Sequence, residues 1–241
     1  MTEVWELPGA SFDREEKVIA VLPVGSVERH GDHLPIGTDT IEASWIASRV
    51  AERLGAHLFP PIWYGVSPGL SRFPGTINVD PEAFISYVYS VLREIARNGY
   101  RLIVVINGHG GNTSALRVAM KRAAFETGTT IVSFDWWRDA GTTALRQLFT
   151  SPGHAGEDET SAMLYIDGQH VDMKHAARHV PEWVPRYAVE SPQVEEALYP
   201  RAVLGDPTTA SAEKGGRWLQ AVIDDIVAAV KDLAVRLGIT R

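Results

Sequence analysis

The run Arg101-Leu-Ile-Val-Val-Ile-Asn107 constrains this chain more than any other segment. Its interior is apolar and mostly β-branched at successive positions, the pattern of a strand covered on both faces. Val18–Gly25, reading VIAVLPVG, repeats it, and shorter strands are expected at His57–Ile62 and Thr130–Phe134. Helical patterns separate these runs. One spans Asp39 to Leu54, with Ile41, Trp45, Ile46 and Val50 on one face and Gly55 as its stop. Another opens at Asp80-Pro81 and closes at Asn98-Gly99, and further helices are expected at 112–126, 157–166 and 211–237. Alternating strands and helices predict a single α/β domain over residues 1–241, with a mainly parallel central sheet and helices on both faces. Ligands of such sheets bind beyond the carboxyl ends of the strands.

Cysteine is absent from the sequence, so any transition-metal site must be made of imidazole and carboxylate. A formal charge of -7 offers no basic field for nucleic acid or an anionic membrane. The acidic start MTEVWELPGASFDREEK does not read as a signal peptide, and no apolar stretch is of membrane-spanning length. A cytoplasmic protein with a small-molecule substrate, binding neither nucleic acid nor membrane, is the expectation.

Polar clusters stand where strands end. Gly25-Ser-Val-Glu-Arg-His-Gly-Asp-His-Leu-Pro35 places Glu28 and His30 two residues apart, which an extended backbone turns to the same side. Asp39 follows at a helix start, where a carboxylate can serve two cations about 3.5–4 Å apart, one on each oxygen. The loop Asn107-Gly-His-Gly-Gly-Asn112 clears space around His109 and permits close backbone approach. It fits neither phosphate-cradling pattern. His154-Ala-Gly-Glu-Asp-Glu-Thr-Ser161 puts a third imidazole before an acid-rich helix start, where the acids alone would also suit the helix dipole.

Together these motifs resemble those of the creatininase family, in which GSxEQHGxHLPxxTD, NGHGGN and HAGxxETS occur in this order; here they read GSVERHGDHLPIGTD, NGHGGN and HAGEDETS. Phe73-Pro-Gly-Thr-Ile77 and Ser211-Ala-Glu-Lys-Gly215 are smaller echoes, and the likeness runs from about residue 20 to 235. The resemblance implies a metal-dependent amidohydrolase. It makes Glu28, His30, Asp39 and His109 metal ligands, with Asp39 bridging, and His154 a proton carrier at the substrate. In creatininase itself a glutamate two residues after the NGH histidine is a further ligand; here that position is Gly111. Glu159 is the first candidate to complete the second metal, and Glu157 is the next candidate and a possible catalytic acid. The expected cofactor is a pair of divalent ions, zinc first, with manganese or iron as alternatives, and the family implies a homohexamer.

Arg29 replaces the common glutamine, and Leu70 stands near a position where relatives carry histidine, so creatinine itself is not the expected substrate. Cyclic amides, formamides and peptides are all substrates within the family. The expected chemistry is attack on an amide by water acidified between two cations. Residues 63–79 form a long loop whose Trp63, Tyr64 and Phe73 wall the pocket or belong to the core. Two rival classes remain. Gly65-Val-Ser-Pro-Gly69 matches the GxSxG pattern of serine hydrolases, although no helix signal follows Ser67. A non-catalytic, metal-dependent binding protein would keep the ligands without needing His154.

Overall fold

The computed structural model describes residues 2–239. Its core is the expected parallel sheet. The strands β1 (Thr2–Glu3), β2 (Ile19–Val24), β3 (His57–Leu58), β4 (Leu102–Asn107) and β5 (Thr130–Asp135) lie in the order β1-β3-β2-β4-β5. All pairs are parallel, and the register sets Val24 beside Asn107 and Asn107 beside Asp135. The run expected as one strand from His57 to Ile62 survives as β3 and an isolated bridge between Val24 and Ile62. Pro60-Pro61 explains the gap, since proline has no N–H to give a ladder.

The helices are α1 (Gly9–Arg14), α2 (Thr38–Leu54), α3 (Pro81–Arg97), α4 (Thr113–Thr127), α5 (Trp136–Asp139), α6 (Thr142–Leu148), α7 (Glu157–Asp167), α8 (Pro192–Leu198) and α9 (Ala212–Arg236). Local chemistry sets several ends. The Asp80 carboxylate accepts from the Glu82 and Ala83 amides at the start of α3, and Ser211 Oγ accepts from Lys214 N in α9. Gly55 ends α2 in the left-handed conformation.

Successive strand residues face opposite sides, which explains why the strands must be apolar throughout. Val21, Leu102, Val104 and Ile106 pack with Ile46 and Val50 of α2 and with Trp218, Val222 and Ile226 of α9. Ala20, Leu22, Ile103 and Val105 pack with Phe84, Val88 and Leu92 of α3 and with Leu116 of α4. Each buried Val, Leu, Ile or Phe among them stabilises the fold by about 1.5–3 kcal/mol relative to exposure. Among the described residues no helix is long and apolar enough to cross a membrane.

The stretch 168–205 is largely irregular and lies against the carboxyl edge of the sheet. Leu204 N donates to His154 O at 2.8 Å, Gly31 N to Ala202 O at 2.8 Å, and Arg72 Nη2 to Tyr199 O at 2.7 Å. These bonds tie the stretch to the loop after β2, to the 63–79 loop and to the turn before α7.

Candidate metal centre

The candidate side chains enter from four places in the fold. Glu28 and His30 follow β2, Asp39 sits in the first turn of α2, His109 follows β4, and Glu159 lies in the first turn of α7 with His154 just before it. Gly108 passes so close to the Asp39 carbonyl that an added Cβ would collide with it, so glycine there lets the β4 loop approach α2.

The side chains converge. Glu28, Asp39 and His109 form one group that could hold a cation, and His30, Asp39 and Glu159 form another. Asp39 belongs to both and divides its oxygens between them. Its Oδ2 lies 3.3 Å from His109 Nδ1, and its Oδ1 lies 3.0 Å from His30 Nε2. Glu28 Oε1 is 3.3 Å from His109 Nδ1, and Glu159 Oε2 is 3.7 Å from His30 Nε2. His154 Nδ1 lies 3.7 Å from Glu28 Oε1, within ligand reach of Glu28 and His30.

The second nitrogen of each imidazole is tied to backbone. His30 Nδ1 donates to Glu28 O at 3.1 Å, His109 Nε2 to Val66 O at 2.9 Å, and His154 Nε2 to Arg29 O at 3.0 Å. Such bonds fix the ring and its tautomer, leaving the other nitrogen as a lone-pair donor aimed at the cluster. The buried atoms His30 Nε2 and Asp39 Oδ2 make no directed hydrogen bond although opposite charges lie close by. Buried polar atoms left this way are costly unless something else binds them. The donor set, imidazole nitrogen and carboxylate oxygen, fits a borderline divalent cation.

The cluster also shapes its own protonation. Burial lowers the His30 imidazole, but Asp39, Glu159 and Glu28 outweigh it and push it up to about 10. His109 is likewise raised against burial by Glu28 and Asp39. Burial raises Glu159 to about 8, whereas burial and the adjacent His30 lower His154 to about 4. Glu28 and Asp39 therefore draw positive charge onto His30 and His109, while His154 stays neutral.

Glu157 is not brought to the group. It precedes Glu159 by two residues on α7, and residues two apart on a helix point about 200° apart, so only one faces the cluster. Its Oε2 instead accepts from Thr150 N at 2.8 Å and Ser151 N at 3.0 Å, and its Oε1 pairs with Lys214 Nζ at 2.6 Å. Ala155, between His154 and the helix, has a left-handed φ of 49° and gives its N–H to Glu159 Oε2 at 2.6 Å. Gly111 has no room for a side chain, since a Cβ there would overlap Val66 O.

Trp63 and Tyr64 are exposed, so they are not core. Ser67 is followed by a turn rather than a helix, and its hydroxyl donates to Glu28 Oε2 rather than to an imidazole, so no nucleophile elbow forms. Sequence reasoning missed three supporting groups. Asn112 accepts from Val66 N at 2.9 Å and donates to Gly25 O at 2.9 Å, joining three loops. Asp135 accepts from Asn107 Nδ2 at 2.7 Å, steadying the turn before His109. Glu42, one turn beyond Asp39, is buried and held well above the carboxylate range, first by burial and then by Glu159 and Asp39. The asparagines of NGHGGN were the available signal for the first; nothing local marks Asp135 or Glu42.

Residues 7–230 match the family profile described as creatininase, creatinine amidohydrolase. The chain is 37% identical over 223 residues to the mycofactocin precursor peptide peptidase of Mycobacterium ulcerans, with 87% of this chain and 83% of that protein covered. A solved creatininase mutant of Zn–Zn type is similar with a TM-score of 0.83 at 30% identity, over 95% of this chain and 96% of the other. A manganese creatininase gives a TM-score of 0.84 at 29% identity, over 96% and 98%.

Proposed function

Because this chain belongs to the creatininase family of amidohydrolases, we propose that it hydrolyses a small-molecule C–N amide bond, cyclic amide or formamide, with two divalent cations as its cofactor. One observation carries the reading: Asp39 presents its two oxygens to two different ligand groups, Glu28 with His109 and His30 with Glu159. A structural salt-bridge network has no need to divide a carboxylate between two groups and to leave Asp39 Oδ2 and His30 Nε2 buried without directed hydrogen bonds. Solved relatives of Zn–Zn and manganese type support a divalent pair. Zinc is the first candidate on the donor set.

Cations held there supply an acidified water and polarise the amide carbonyl. The chain's own residues do the rest. Glu28, His109, His30 and Glu159 would hold the cations, with Asp39 common to both groups. His154 Nδ1 is the atom positioned to move a proton, since its Nε2 is committed to the Arg29 carbonyl. It accepts at Nδ1 and returns that proton to the leaving nitrogen, as general acid–base catalysis requires. The stretch 199–205 lies beside His154, with Tyr199 edge-on to its ring at 5.6 Å, and limits access of bulk water.

Metal analysis of the purified protein, with assay on a panel of cyclic amides, formamides and short peptides, tests the reading. Two ions per chain and chelator-sensitive hydrolysis are expected. Bound metal with no hydrolysis across the panel would leave the binding-protein alternative standing. The similarity to a peptide peptidase favours a second reading, cleavage of a peptide-derived cofactor precursor; preference for the peptides over the small amides would select it.

A further inference from the structure

Resting on the dinuclear reading, we propose that Ser67 is a positioning residue: its hydroxyl holds the Glu28 carboxylate as a one-oxygen ligand of the cation shared with Asp39 and His109. Ser67 lies in the GxSxG stretch that the proposed chemistry otherwise leaves without a task.

Glu28 is buried, and its two oxygens have separate partners. Oε2 accepts from Ser67 Oγ, while Oε1 faces His109 Nδ1 at 3.3 Å and His154 Nδ1 at 3.7 Å. The terminal torsion of a glutamate is broad and roughly two-fold, so an unheld carboxylate would rotate or offer both oxygens to one ion. A hydroxyl donor on Oε2 blocks both outcomes and leaves Oε1 free.

Ser67 can do this because its own backbone is fixed. Its N–H donates to Asn78 Oδ1 at 2.7 Å, and the preceding Gly65 carbonyl accepts from Val79 N at 2.9 Å. Between them, Val66 receives the His109 Nε2 proton on its carbonyl at 2.9 Å and gives its N–H to Asn112 Oδ1 at 2.9 Å. Adjacent residues 66 and 67 thus orient two ligands of the same group. The private ligands of the other group are held elsewhere, His30 by the Glu28 carbonyl and Glu159 by the Ala155 amide. The effect of Ser67 is therefore one-sided.

Calorimetric titration of metal-free protein with Zn²⁺, and with Co²⁺ followed by its visible spectrum, tests this. Wild type is expected to bind two ions. Ser67→Ala, nearly isosteric, is expected to keep the wild-type far-UV spectrum and to lower the metal-free melting temperature by only a few degrees, the effect of one lost hydrogen bond. It should lose about 10–100-fold in affinity for one ion, the usual effect of removing an outer partner, and leave the other unchanged. Ser67→Thr, which keeps the hydroxyl, should restore the lost affinity. Two ions bound by Ser67→Ala with wild-type affinities would overturn the role of Ser67 and leave the dinuclear reading intact. Equal loss of both affinities would make Ser67 a general structural residue and overturn the proposal. Fewer than two ions in wild type would remove the dinuclear reading itself and this inference with it.

Discussion

The two ends of the sheet each bury histidine among acids, yet they are built for different ends. At the amino edge, His57 Nδ1 meets the Tyr100 hydroxyl at 2.6 Å and Nε2 meets Glu15 Oε2 at 3.3 Å, so both nitrogens are satisfied within the protein. At the carboxyl edge, His30, His109 and His154 each commit one nitrogen to a backbone carbonyl and turn the other toward carboxylates. A histidine bonded at both nitrogens has no lone pair left for a ligand. One bonded at a single nitrogen and facing convergent acids is a preset donor. Burial and residue type alone would not have told these clusters apart.

The comparison can be broken most directly at Asp39. Asp39→Ala removes the carboxylate common to both groups, and loss of both ions is expected, with hydrolysis falling more than about 100-fold, beyond what outer partners usually contribute. Elemental analysis and assay read this; retained stoichiometric metal would erase the distinction between the edges. Proton linkage sharpens it next. His30 and His109 are held above their ordinary value without metal, so at neutral pH a cation must displace their protons. Affinity should therefore weaken as pH falls, by about tenfold per unit for each proton displaced. Calorimetry in buffers of different ionisation enthalpy counts the protons released, and affinity unchanged between pH 8 and 6 would contradict it.

Smaller effects separate support from ligation. Glu157→Gln weakens the Lys214 pair and the bonds to the 150–151 turn, and is expected to lower stability by about 1–3 kcal/mol with both ions retained. Loss of an ion on that substitution would return Glu157 to the ligand set. His57→Phe leaves the Tyr100 hydroxyl without its partner at a cost of about 1 kcal/mol. Metal content and activity should not move, as denaturant melts and assays of the variant would show; loss of metal would show that the amino edge is coupled to the centre.

Much of this was legible in the chain itself. The apolar runs at β2 and β4 had to be covered on both faces, and the Asp80-Pro81 and Gly55 signals marked helix ends that the structure places within a residue or two. The strand-end positions of Glu28, His30 and His109, and that of Asp39 at a helix start, followed from the same pattern. Where backbone geometry had not yet chosen a direction, the sequence offered less. Both Glu157 and Glu159 open one helix in an acid-rich turn, and no local feature says which of them faces the sheet edge.

That choice belongs to tertiary structure, because a helix turns successive residues about 100° and only its docking angle decides which acid points inward. Residue types and their spacing determined the parallel sheet, and the likeness of three motifs to those of a family singled out the candidate donors. Packing alone decided that Glu157 meets Lys214, that Ser67 reaches Glu28 and that Val66 receives the His109 proton. Each of these joins residues 39 or more positions apart, and contacts at that separation exist only once the sheet has brought its loops to one edge.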